Sequence, residues 1–215
     1  MRRVLALAMV WAVALFGVAP AESATFEVDL SDEGSVFDLE VAPTGDVYVA
    51  TSTQVIVFDP DGEQRATFAL DRVEDMTWHD GAMWVTSPSD RTVYEIESPV
   101  PAIGRSYTFT QLGAPIASGD GLLYLMVDFD ISSLDPADGT VVDLGIVGAP
   151  IWVKTSPAYP GEIFLASPSS NTEIERWDVG TVPATQVAGT PSGTLGSFLD
   201  DWDFDDAGTS IHLAN

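Results

Sequence analysis

Pro43-Thr44-Gly45-Asp46-Val47-Tyr48-Val49-Ala50 joins a turn to a short apolar strand, and its beat returns along the whole chain. A turn glycine stands three positions before a large apolar residue at Gly45/Tyr48, Gly81/Trp84, Gly121/Tyr124, Gly161/Phe164 and Gly208/Ile211. The glycines lie 36, 40, 40 and 47 residues apart. A period of about 40 residues is what four short strands and their turns require.

The units align beyond this pair. In the first, Phe37–Val41 reads as an inner strand, followed by Val47–Ala50, Val55–Phe58 and Thr67–Leu70. Asp59-Pro60-Asp61-Gly62 makes a turn, since Pro presets φ and Gly accepts a positive value. The second unit runs Asp75–Trp78, Met83–Thr86, Thr92–Ile96 and Tyr107–Phe109. The third has Ile116–Ser118, Leu122–Val127, Ile131–Leu134 and Val141–Leu144. The fourth has Ile151–Lys154, Ile163–Ala166, Glu173–Trp177 and a weakly marked strand near Gln186-Val187-Ala188. A fifth begins with Trp202–Phe204 and Ser210–Leu213. β-Branched and aromatic residues crowd these runs, and no helical period is sustained. The expected fold is all-β: a β-propeller of four-stranded blades over 22–215, four complete plus a partial fifth, forming an incomplete ring. A β-sandwich is the runner-up. Thr25–Leu30 is expected to supply the outermost strand of the final unit, and the missing strands suggest a chain truncated at its C-terminus.

The N-terminus reads as a signal peptide, residues 1–21. Arg2 and Arg3 precede an uncharged run from Val4 to Val18, and Ala19-Pro20-Ala21 supplies a small-x-small cleavage pattern, with Ala24 as a second choice. The expected location is secreted, extracellular or periplasmic, with no membrane span in the mature chain. No cysteine is present, which excludes disulfides, thiol chemistry and cysteine-ligated metals. The chain has 33 acidic against 8 basic residues and a formal net charge of -25. Removing Arg2 and Arg3 takes this from -25 to -27. Such a surface repels nucleic acid, because phosphate binding relies on Lys and Arg.

The stretch Val41–Ala50, with Val57-Phe58-Asp59-Pro60-Asp61-Gly62 beyond it, resembles an NHL-type repeat. Met76–Thr86 is similar to a blade of the streptogramin-lyase and gluconolactonase-like propellers, and Asp203–Asn215 resembles the opening of another. The resemblance covers most of the mature chain and concerns blade architecture. It implies relatives of about six or seven blades. It also implies, for the enzymes, a divalent metal held in the central channel by Glu, Asn and Asp. Phe37-Asp38-Leu39 stands where the gluconolactonase-like pattern has Glu-Gly-Pro, a departure from lactonase chemistry.

Polar residues on inner strands are the site candidates. Asp38, Asp75 and Asp201 fall at comparable strand starts, and convergent carboxylates suit Ca2+, which prefers oxygen ligands. The competing reading gives each Asp a loop or strand amide to accept from. Asp200–Asp206 fails the EF-hand spacing, since His212 stands where a bidentate Glu belongs. Trp78, Trp152 and Trp202 lie within inner strands and suit a carbohydrate or apolar ligand, or simply packing between blades. His79 and His212 show no partner at a telling spacing, and no catalytic residue is assigned. The leading expectation is a binding module for a protein or small-molecule ligand, without catalysis. The alternatives are a divalent-metal-dependent lactone hydrolase or lyase, and a fragment of a larger propeller.

Overall fold

A computed structural model describes Leu30, residues 35–148, Pro150, residues 152–166 and 174–187, and the backbone of 201–204 and 211–214. The signal-peptide reading lies outside these residues, as does the strand expected at Thr25–Leu30 apart from Leu30 itself.

Four four-stranded antiparallel sheets follow one another, each in sequential order. Blade 1 comprises β1 (Val36–Val41), β2 (Val47–Thr51), β3 (Gln54–Phe58) and β4 (Gln64–Ala69). Blade 2 comprises β5 (Asp75–His79), β6 (Ala82–Ser87), β7 (Thr92–Glu97) and β8 (Ala102–Thr108). Blade 3 comprises β9 (Leu112–Gly119), β10 (Leu122–Val127), β11 (Asp130–Leu134) and β12 (Val141–Val147). Blade 4 comprises β13 (Trp152–Thr155), β14 (Glu162–Ala166), β15 (Ile174–Asp178) and β16 (Thr185–Gln186). A last hairpin pairs β17 (Asp201–Phe204) with β18 (Ile211–Ala214). These are β-propeller blades, as the repeat predicts. Among the described residues no helix is long and apolar enough to cross a membrane.

The glycine-led turns fall at matching places. Gly45, Gly81, Gly121 and Gly161 all have positive φ, between 76° and 88°, in the turn joining the first and second strands of their blades. A Cβ at Gly81 would meet no atom within 4 Å, so its requirement is purely conformational. Gly81→Ala is therefore expected to cost roughly 1–2 kcal/mol, the left-handed penalty of an L-residue. Urea denaturation checks this, and an unchanged midpoint would contradict it.

The apolar residue three positions later packs onto the following blade. Tyr48 and Ala50 join Met76, Met83, Val85 and Ile96 across the first seam. Trp84 and Val93 join Ile116, Leu123 and Leu125 across the second, and Tyr124 and Ile131 join Val153, Ile163 and Leu165 across the third. Strand alternation makes this possible, because neighbours in sequence point to opposite sheet faces and each middle strand covers two seams. Arg105 adds a polar tie across the second seam. It forms a bidentate pair with Glu95 at 2.8 and 2.7 Å and also donates to the Pro136 carbonyl, which the Tyr107 hydroxyl reaches at 2.9 Å.

Boundaries differ from the sequence reading on outer strands and on the inner strand β9, which begins at Leu112 rather than Ile116. β8 begins at Ala102 rather than Tyr107, and β16 is confined to Thr185–Gln186. β8 is exposed at alternate positions, so little apolar pattern marks it.

Candidate functional site

The strand register sets which residues occupy equivalent places. Tyr48 pairs with Glu40, Trp84 with Thr77, Tyr124 with Ala117 and Phe164 with Lys154. Two positions earlier on each inner strand stand Asp38, Asp75, Pro115 and Trp152. One position later stand Val41, Trp78, Ser118 and Thr155.

Asp38 and Asp75 thus occupy one level, and both hold the next blade. Asp38 Oδ2 accepts the Met76 N–H at 2.8 Å, and Asp75 Oδ2 accepts the Ile116 N–H at 2.8 Å. Their other oxygens accept from the chain just ahead, at Leu39 (2.8 Å) and Met76 (3.0 Å). The Met76 amide is therefore shared between the two carboxylates. Burial, and then the adjacent Asp38 charge, push the Asp75 carboxyl well above the usual carboxylate range, while Lys154 and the two N–H donors pull it down.

This chemistry bears on the divalent ion implied by the resemblance. A Ca2+ ligand must be ionised and have lone pairs to offer, whereas Asp75 is driven towards its protonated form with both oxygens already accepting. Asp38 and Asp75 fit the blade-joining role better than ion ligation. Among the described residues no three His, Cys, Asp or Glu side chains gather closely enough to hold a metal. Asp201 opens β17, and its side chain lies outside the described residues.

Trp78 and Trp152 lie at opposite strand ends. Trp78 stands near the hairpin end of its inner strand, half-buried, with its ring edge-on to Tyr48 at 6.5 Å across the first seam. Trp152 stands at the opposite end of β13, half-buried against the cluster of Phe164, Ala166 and Ile174. Trp202 pairs with Leu213 in backbone register, and its side chain lies outside the described residues.

His79 acquires a partner that sequence reasoning missed. Its ring is buried, and Nδ1 lies 2.8 Å from Ser118 Oγ on the next inner strand. Burial pushes the imidazole below its usual pKa, towards the neutral form. The Ser118 carbonyl in turn accepts from the Thr155 hydroxyl, and Asp120 Oδ2 accepts the Gly161 N–H at 2.5 Å. These partners are separated by 37 to 41 residues, one repeat period, so counting one unit ahead would have found them.

A cavity of about 310 Å³ opens at the seam of blades 3 and 4, beside their first turns. Thr155, Ser156, Asp120, Glu162 and Tyr159 belong to its wall. Arg176 orders one side, pairing bidentately with Glu162 and standing 4.4 Å over the Tyr159 ring. Ser118 sits in the same wall, but its hydroxyl is turned to His79 in the preceding seam, so the pair does not present a nucleophile to the cavity.

No family model matches the sequence, and no curated protein matches it either. Solved structures do share the fold. A streptogramin B lyase is 15% identical with a TM-score of 0.66, over 90% of this chain and 66% of that one. A catalytically inactive virginiamycin B lyase from Staphylococcus aureus, solved with quinupristin, is 15% identical with a TM-score of 0.66, over 91% and 68%. The hydrazine synthase of Kuenenia stuttgartiensis is 14% identical with a TM-score of 0.64, over 82% and 54%. The chain thus spans about two thirds of the lyases' length, and at this identity the likeness is one of fold.

Proposed function

We propose that this chain is an exported propeller module that binds a small hydroxyl-bearing ligand, neutral or cationic, without catalysis. The seam cavity of blades 3 and 4 carries the reading. Its hydroxyl- and carboxylate-bearing wall residues and single aromatic residue suit a sugar or amino sugar, and its size suits one such unit. A chain with 33 acidic and 8 basic residues disfavours anionic ligands.

Saturation-transfer NMR with glucose, galactose, glucosamine and glucuronate tests this. Transfer is expected to at least one neutral or amino sugar and not to glucuronate. Pro160→Trp, which crowds the cavity from an exposed turn position, should abolish it. Absence of transfer to all four sugars, or transfer that survives in the variant, overturns the reading.

One observation favours a second reading, a divalent-metal-dependent lactone hydrolase or lyase. Asp38 and Asp75 do meet at one level of adjacent inner strands, and Asp201 is the third candidate ligand. Calorimetric titration with Ca2+ separates the two. The binding-module reading expects no saturable heat at millimolar Ca2+, and a saturable isotherm lost in Asp75→Asn would favour the metal enzyme.

A further inference from the structure

The turn between β10 and β11 is two residues long, Asp128-Phe129, with Val127 paired to Asp130. Both residues are left-handed, at φ 51° and 72°, as a two-residue hairpin of the primed type requires. Glycine or asparagine normally fills the second of these places, because a Cβ there is unfavourable. Here it is an aromatic residue with 57% of its surface exposed. Folding alone gains little from this choice. The equivalent turns of blades 1 and 2, Ser52-Thr53 and Pro88–Arg91, carry no large apolar side chain.

A second exposed apolar residue lies beside it. Val147 pairs with Asp130 at the end of β12 and is 84% exposed, and the Gly148 N–H donates to the Phe129 carbonyl. The patch is framed by carboxylates. Asp128 and Asp130 flank Phe129 in sequence, and neither has an ion-pair partner among the described residues. This turn stands at the opposite end of the blade from the seam cavity, since it joins the second and third strands rather than the first and second.

We infer that the Asp128-Phe129-Asp130 hairpin, with Val147, is a docking knob for an arginine-bearing segment of a partner protein. Arginine is selected over other occupants by the chemistry at hand. Its guanidinium stacks on an aromatic face while forking onto a carboxylate, and a carboxylate residue flanks Phe129 in the chain on each side, at Asp128 and Asp130. An aliphatic neighbour on the partner covers Val147. The site is independent of the seam cavity, and loss of either leaves the other standing.

A fluorescein-labelled peptide of five Leu-Arg repeats, titrated in 150 mM salt by anisotropy, tests the inference. Wild type is expected to bind it at least 10-fold more tightly than Phe129→Gly, a change that leaves the net charge untouched. Phe129→Trp should retain binding. Phe129→Gly should also melt no lower than wild type, because glycine relieves the left-handed turn, so a loss of binding cannot be ascribed to unfolding. Equal binding by wild type and Phe129→Gly would overturn the inference, since the peptide would then be attracted by the acidic surface at large. Absence of binding to wild type would overturn it too. Sugar transfer at the seam cavity is expected to be unchanged in Phe129→Gly, which keeps the two proposals separable.

Discussion

Trp84→Ala is expected to destabilise the chain by about 3–5 kcal/mol, the range for truncating a fully buried Trp. The side chain is 1% exposed at the second seam. Its ring lies stacked on Tyr107, with centroids 6.1 Å apart and planes 10° from parallel, and the Arg105 guanidinium stands 5.5 Å from its centroid. Removal would strip one wall from Ile116, Leu123 and Leu125 of blade 3 and leave the Arg105 platform without support. Truncation of Trp152, which is only half-buried, should cost clearly less. Urea denaturation of the two variants provides the comparison. A loss at Trp84 no greater than that at Trp152 would mean that the aromatic of the repeat does not bear on the next blade.

Asp75 separates a blade-joining role from an ion-binding one. In Asp75→Ala the Ile116 N–H loses its acceptor, and a buried donor left unsatisfied costs about 1–3 kcal/mol. In Asp75→Asn the amide oxygen still accepts from Ile116, the Met76 N–H keeps Asp38 as its acceptor, and the like charge beside Asp38 is removed. Asp75→Asn is thus expected to exceed Asp75→Ala by about 1–3 kcal/mol at pH 7. The pH dependence has a definite sign. The carboxyl's folded-state pKa lies above its unfolded value, so the folded state binds the proton more tightly. That favours folding as pH falls from the raised value towards the unfolded one, and the contribution is lost as pH rises through the raised value. Asp75→Asn should lack this contribution in stability measured by denaturant at several pH values. Equal destabilisation in Asn and Ala variants would contradict the acceptor role.

The architecture was legible because two independent patterns agreed. Positive-φ glycines at Gly45, Gly81, Gly121 and Gly161 marked the turns, and the buried Tyr48, Trp84 and Tyr124 marked the seams. Outer strands were harder to read. β8 carries Gly104 and Arg105, and its pairing rests on Arg105 reaching Glu95 rather than on apolar alternation. A Cβ on Gly104 would fall 2.7 Å from a Glu95 carboxylate oxygen, so the glycine that obscured the strand is what lets the ion pair sit there.

The site was less legible, for a geometric reason. Asp38 and Asp75 stand at equivalent register positions, yet their acceptor role depends on amides of the following blade, 38 and 41 residues away. Trp78 and Trp152 looked alike because both lie on inner strands, but a register difference of three residues puts them at opposite strand ends. The Phe129 knob was read only as the space between two strands, since an aromatic in a left-handed turn leaves no mark on apolar periodicity.

A two-dimensional NOE spectrum of the assigned chain tests the blade-after-blade packing most directly. The account predicts cross-peaks between the Tyr48 and Trp78 rings, and between the Ile116 amide proton and the Asp75 β-protons. Absence of both, with cross-peaks joining the blade 1 and blade 3 cores instead, would contradict it.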